Sequence, residues 1–188
     1  MKNFWYSYQN ILYGALQKSY FIFFRRIFGI LYKFVVRFIR HNFSSNIINL
    51  DNFKEKNYFS LDLDALFIKF NCDKGSFFKI NNQKVNTHKY SIFYEKYFSN
   101  IRENKMNILE LGSHEGKGLA AFYFYFPNSS IIGANINPFQ MKFKSNRIEE
   151  VYIDVSSEKI LNNFSNYLDE NLDIIIDDAS HNLKDIII

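Results

Sequence analysis

Three apolar runs, each ending in a turn that carries Gly, Asn or Asp, follow one another in the C-terminal half of the chain. They are Ile108–Gly118 (ILELGSHEGKG), Ile131–Pro138 (IIGANINP) and Leu172–His181 (LDIIIDDASH). A short, continuous apolar run bounded by turn residues reads as a buried strand. Between the runs the spacing turns helical. The predicted order is a strand near Asn107–Leu111, a helix near Lys117–Phe126, a strand near Ser130–Ala134 and a short helix after Pro138. A strand near Glu150–Asp154, a helix near Ser157–Leu168 and a strand near Leu172–Asp177 follow, and a further helix begins at Leu183. Strand and helix in alternation specify an α/β fold with a parallel, Rossmann-like sheet and right-handed crossovers. In such a sheet ligands sit outside the carboxyl ends of the strands, so the three turns are expected to line one crevice.

The first half of the chain has a different character. Residues 1–50 hold no Asp or Glu but contain Lys2, Lys18, Arg25, Arg26, Lys33, Arg37 and Arg40. All nineteen acids come later, against the remaining sixteen of the 23 Lys and Arg, so the net charge of +4 hides a basic start and a slightly acidic remainder. The basic pI is therefore no sign that the sheet domain binds nucleic acid. On a helical wheel, the cations between residues 18 and 40 gather on one side. Phe23, Phe24, Ile27, Leu31, Phe34 and Phe38 cover the other. Charges interrupt every apolar stretch before it reaches the roughly 18 residues of a membrane span. Two readings stay open for this segment: an amphipathic helix lying in a membrane surface, or a helix packed on its own domain or on a second copy of the chain. The protein is expected in the cytoplasm, peripheral at the inner membrane face in the first reading; packing on a second copy would make it a homo-oligomer. The single cysteine, Cys72, allows no internal disulfide and fits a reducing compartment.

Three regions result: a basic aromatic helical segment over 1–45, a linker and helical pre-domain segment over 46–105, and a partial Rossmann-like domain over 106–188. Within the middle region, residues 43–57 read as linker, Leu61–Phe70 as a short helix, Asn71–Lys89 as loop and Tyr90–Asn104 as a helix.

The first turn, ELGSHEGKG, places Gly112 and Gly116 between a strand and a helix. Glycine tolerates positive φ and lets a ligand approach the backbone, and the helix N-terminus beyond offers free N–H groups. An ordinary strand-to-helix turn has the same look. In the third turn, Asp177 and Asp178 stand side by side. Adjacent acids at a strand end are costly to bury unless a cation pairs with them. They hold such a cation, or they cap the next helix with His181 in solvent.

These motifs resemble class I S-adenosylmethionine-dependent methyltransferases, and within them the macrocin and mycinamicin sugar O-methyltransferase group, which shades into cephalosporin-hydroxylase-like proteins. The match runs from about Asn71 to His181. It is carried by Glu110-x-Gly112-x-x-x-Gly116, by Ile-Asp-Asp-Ala-Ser-His at 176–181, and upstream by Asp73, Lys74, Gly75, His88, Tyr90 and Tyr94. The resemblance implies that Glu110, Gly112, Ser113 and Gly116 wrap the cofactor. It puts Asn135 at the ribose, where the family carries an acid, and Asp154 near the adenine. It gives Asp177 to the cofactor surroundings, Asp178 to Mg²⁺ and His181 to general-base removal of a proton from a sugar or glycan hydroxyl. An imidazole that titrates near neutrality suits that last task. His114 and Ala179 replace family glycines. The upstream segment is expected to help close the pocket. The family's sheet has seven strands, and three of them, with a later acidic pair, would lie beyond Ile188, so the chain reads as truncated. Two other readings remain: a non-catalytic methyltransferase remnant, and a membrane-surface interaction protein that works through its basic helix.

Overall fold

The computed structural model describes residues 47–53, 56–87, 89–137, 140–168 and 171–183. The 1–45 segment, with its expected helix over 18–40, lies outside the described residues, as do His88, Pro138 and any helix past Leu183. Among the described residues, no helix is long and apolar enough to cross a membrane.

The elements are β1 (Ile48–Asn49), α1 (Leu63–Lys69), β2 (Phe77–Ile80), β3 (Gln83–Asn86), α2 (Tyr90–Phe98), β4 (Asn107–Leu111), α3 (Lys117–Tyr125), β5 (Ser130–Asn135), β6 (Phe143–Lys144), β7 (Ile148–Tyr152), α4 (Glu158–Tyr167) and β8 (Ile174–Asp177). Strands β7, β5, β4 and β8 form one parallel sheet in that spatial order. The chain steps outward from β4 through β5 to β7, then returns to the other side of β4. The order reverses between β4 and β8, and their carboxyl ends form the switch point where ligands of open α/β sheets bind.

Each face of the sheet is covered. Residue 108 of β4 faces α3, and residue 109 packs with Ile160 and Phe164 of α4, the period-two alternation of a strand buried on both sides. Helix α3 is buried around its whole circumference from Gly118 to Tyr125, as expected of a helix that is apolar all round. Its outer side is covered by α1, whose Leu63, Leu66 and Phe67 are buried in the same cluster, and by Leu50 and Tyr58. Arg147, which opens onto β7, donates to the carbonyls of Tyr123, Phe126 and Ser129 at 2.7, 2.9 and 2.9 Å. It thereby satisfies carbonyls that the end of α3 leaves without helical partners.

The structure departs from the sequence reading in several places. Inside the stretch expected to be linker, β1 pairs in parallel with β6 and Leu50 enters the core. Inside the stretch expected to be loop, β2 and β3 form an antiparallel hairpin joined by Asn81 and Asn82, both at positive φ. The third sheet strand also starts earlier than expected, at Ile148.

Candidate functional site

Backbone geometry makes the first turn. Leaving β4, the chain passes through Gly112 at φ +82°, His114 at +46° and Gly116 at +78° before α3 begins. The amides of Gly112 and Ser113 both donate to the Ala134 carbonyl, at 2.7 and 3.3 Å, so this turn is tied to the end of β5. A β-carbon on Gly112 would fall 2.2 Å from the carbonyl oxygen of Asp178, and the Asp178 amide donates to Leu111 O at 3.0 Å. The first and third turns therefore touch backbone to backbone, and only glycine permits it. A β-carbon on Gly116 would strike the Met141 sulfur at 2.1 Å. His114 takes up the left-handed conformation although it carries a side chain.

The turn after β5 joins the same edge. Asn135 is buried, and its Nδ2 donates to the carbonyls of His114 (3.4 Å) and Asn137 (3.2 Å). A carboxylate could not make these two bonds. An amide at this position thus has a structural reason besides any part in ligand binding. At the end of β7, the Ile153 amide donates to Asn135 O at 3.1 Å. Asp154 follows, its carboxylate accepting from the amide (3.1 Å) and hydroxyl (2.6 Å) of Ser156.

Past β8, Asp177 Oδ1 accepts from the Ala179 amide at 3.1 Å, an Asx turn. His181 lies exposed just beyond. Asp178 turns toward the interior, and there it meets a residue to which the sequence reading assigns no cofactor or metal role. Lys74 Nζ lies 2.6 Å from Asp178 Oδ2 and 3.0 Å from Glu110 Oε1. Lys74 is 5% exposed and Glu110 1%, while the Asp178 side chain is 31% exposed. The contact with Glu110 is an ion pair without hydrogen-bond alignment, and Glu110 Oε2 has no hydrogen-bond partner among the described residues. Burial alone would depress the Lys74 pKa, but Glu110 and Asp178 outweigh it and hold the ammonium above the ordinary lysine value. Gly118 makes room for the Glu110 carboxylate, since a β-carbon there would lie 2.6 Å from Oε1.

Lys74 reaches this place because its loop is anchored. Asp64, in the first turn of α1, accepts from the Ser76 amide at 2.7 Å, from the Ser76 hydroxyl at 2.8 Å and from the Ser91 hydroxyl. The Lys74 carbonyl accepts from the Ser91 amide at 2.9 Å. The only hint of this in the sequence is the Asp-Lys-Gly segment at 73–75. Neighbouring Cys72 is buried, and burial pushes its thiol up to about 12, which makes it a poor nucleophile.

Two features bear on what the site could hold. The Ser113 hydroxyl, in the turn after β4, is buried beside Gly133 of β5 and has no hydrogen-bond partner among the described residues. For a metal, Asp178 offers one partly exposed carboxylate. Among the described residues there is no group of three or more His, Cys, Asp or Glu side chains that could hold an ion. Mg²⁺ is commonly held by only one or two carboxylates with retained waters, so Asp178 fits as part of an oxygen set.

In comparison with known proteins, no family model and no curated protein matches the chain. Among solved structures it is similar to the MycE methyltransferase from the mycinamycin biosynthetic pathway in complex with Mg and SAH. Identity is 22%, covering 66% of this chain and 29% of that one, with a TM-score of 0.48. Against MycE in complex with Mg, SAH and mycinamycin VI, identity is 26% over 49% of this chain and 25% of that one, with a TM-score of 0.40. The chain spans less than a third of the length of these neighbours.

Proposed function

We propose that the carboxyl edge of the sheet is the cofactor half of an S-adenosylmethionine-dependent methyltransferase acting on a small-molecule hydroxyl, of sugar or glycan type. The observation that carries this reading is the backbone contact of Gly112 with Asp178 at the strand-order switch point. It brings Glu110-x-Gly-x-x-x-Gly116 and the Asp-Asp-Ala-Ser-His run, far apart in sequence, onto one crevice. The unpartnered Ser113 hydroxyl supports it from the same turn.

In this reading Gly112, Ser113 and Gly116 line the cofactor's amino-acid end, with the Ser113 hydroxyl as a hydrogen-bonding group. The amide nitrogen of Asn135 is committed to the backbone, so Oδ1 is the atom that can accept from a ribose hydroxyl. Asp154 flanks the base from the end of β7. Asp177 keeps the third turn in shape through its bond to Ala179. His181, exposed next to that turn, takes the proton from the acceptor hydroxyl on an imidazole nitrogen. The cofactor supplies an electrophilic methyl group on a sulfonium. Mg²⁺, held in part by Asp178, would orient the acceptor oxygen and lower the cost of its charge.

Isothermal titration of the chain with S-adenosylhomocysteine, with and without Mg²⁺, tests the proposal. Saturable binding in the micromolar range that weakens on Ser113→Ala is the expected result. A folded chain that releases no heat of binding would overturn it.

A further inference from the structure

The acidic pair in the crevice already has a cation, and it belongs to the chain. Lys74 Nζ bridges Glu110 Oε1 and Asp178 Oδ2 at 3.0 and 2.6 Å. It is held in place by the Asp64 bonds to Ser76 and Ser91. Leaving would strand Glu110, which is 1% exposed and has no other cation in contact among the described residues. Breaking a buried pair by removing one partner is strongly unfavourable, because the remaining charge is left uncompensated. Asp178 is different. It is the outer member, partly exposed, and it can turn toward a second cation while Lys74 stays on Glu110.

We propose that Lys74 is the resident cation of this pair and sets how tightly Asp178 can take a divalent ion. The inference rests on the reading of Asp178 as a metal ligand and deepens it. With Lys74 in place an ammonium lies 2.6 Å from Asp178 Oδ2; without it the Asp178 carboxylate has no cation in contact among the described residues. A divalent cation arriving at Asp178 is attracted by its carboxylate and repelled by the ammonium beside it. Lys74 thus keeps the site closed in charge when no metal is present and holds metal affinity low. The crevice becomes one that takes its divalent ion weakly and reversibly instead of storing it.

The test is calorimetric titration of the full chain with Mg²⁺, and with Mn²⁺ followed by its spin resonance, so that the readout is binding and not turnover. Lys74→Met keeps the length of the side chain and removes its charge. It is expected to bind Mg²⁺ at least about tenfold tighter than the parent, and adding Asp178→Asn should abolish the gain. Lys74→Arg should stay near the parent. Because Lys74→Met leaves Glu110 unpaired, the comparison is repeated with Glu110→Gln against Glu110→Gln with Lys74→Met, where no buried charge is orphaned. The double variant is again expected to bind more tightly. Equal or weaker metal binding on losing Lys74 in both pairs would overturn the proposal, and so would an absence of metal binding in every variant. S-adenosylhomocysteine titrated into the same samples separates the two claims. Tighter Mg²⁺ without nucleoside binding would leave Lys74's role standing and remove the methyltransferase reading.

Discussion

At the level of single residues, the site is decided by what a β-carbon would hit. Gly112 sits at φ +82° with the Asp178 carbonyl oxygen 2.2 Å from where its β-carbon would be. The neighbour is backbone at the end of a paired strand and cannot swing aside. Gly112→Ala is therefore expected to cost more than about 2 kcal/mol of stability, at the high end for a single substitution. Urea midpoints compare it with the parent, and an unchanged midpoint would mean that the two turns do not depend on this contact. Gly112 and Gly116 were legible in the sequence because glycine after a strand announces such a conformation. His114 was legible only as a departure from the methyltransferases that the turn resembles, many of which have glycine there, and its φ of +46° puts a side-chain-bearing residue in the left-handed conformation. Lys74 was legible as part of a segment expected to help close the pocket, but not as the partner of Glu110 and Asp178. It lies 104 positions from Asp178, and nothing in local spacing tells which acid a distant lysine will meet. Two adjacent acids at a strand end point to a cation, and in the folded chain one of them, Asp178, already pairs with the Lys74 ammonium.

At the level of elements, β4, α3, β5, β7, α4 and β8 were readable because their apolar runs are bounded by glycine, Asn and Asp, whereas two-residue β6, following the stretch where a short helix was expected after Pro138, was not. The predicted and observed bounds of β4 coincide, and those of α3 differ by one residue. The hairpin of β2 and β3 was missed. Its turn is Asn81-Asn82, with φ +49° and +63°, which fits a two-residue hairpin turn that Asn-Gly signals far more clearly. Strand β1 was missed because two residues that pair with a distant two-residue strand leave no periodicity to see. The segment between α1 and α2 owes its placement to Asp64, whose carboxylate gathers Ser76 and Ser91. Asp64→Ala removes these bonds and leaves buried Ser91 without its acceptor, a loss of about 1–3 kcal/mol. Amide hydrogen exchange should quicken over 74–91 while β4 and β5 keep their protection. Uniform quickening across the sheet would show instead that Asp64 supports the whole fold.

At the level of the whole molecule, the described residues share their buried surface between two clusters, one on each face of the sheet, and the ionisable groups beside Lys74 connect that burial to pH. Burial pushes the Cys72 thiol from 9.0 up to about 12 and the Tyr94 hydroxyl from 10.0 up to about 12. Both groups are neutral when protonated, so above pH 9 the unfolded chain loses protons that the folded chain keeps. Stability then falls as pH rises. Lys74, raised by its carboxylates, acts in the same direction above the ordinary lysine value. Between about pH 9 and 12, Cys72 alone contributes a slope of up to about 1.4 kcal/mol per pH unit. Chemical denaturation across this range should show that slope in the parent and a shallower one in Cys72→Ala. Equal slopes would mean the thiol ionises freely in the folded chain.

The convergence of three turns on one ligand is the claim on which the functional reading depends. Hydrogen exchange with and without S-adenosylhomocysteine measures it directly. The amides of 112–118, 135–137 and 177–181 are expected to gain protection together, over the same ligand concentrations. Protection confined to one of these turns, or no change in any of them, would contradict it.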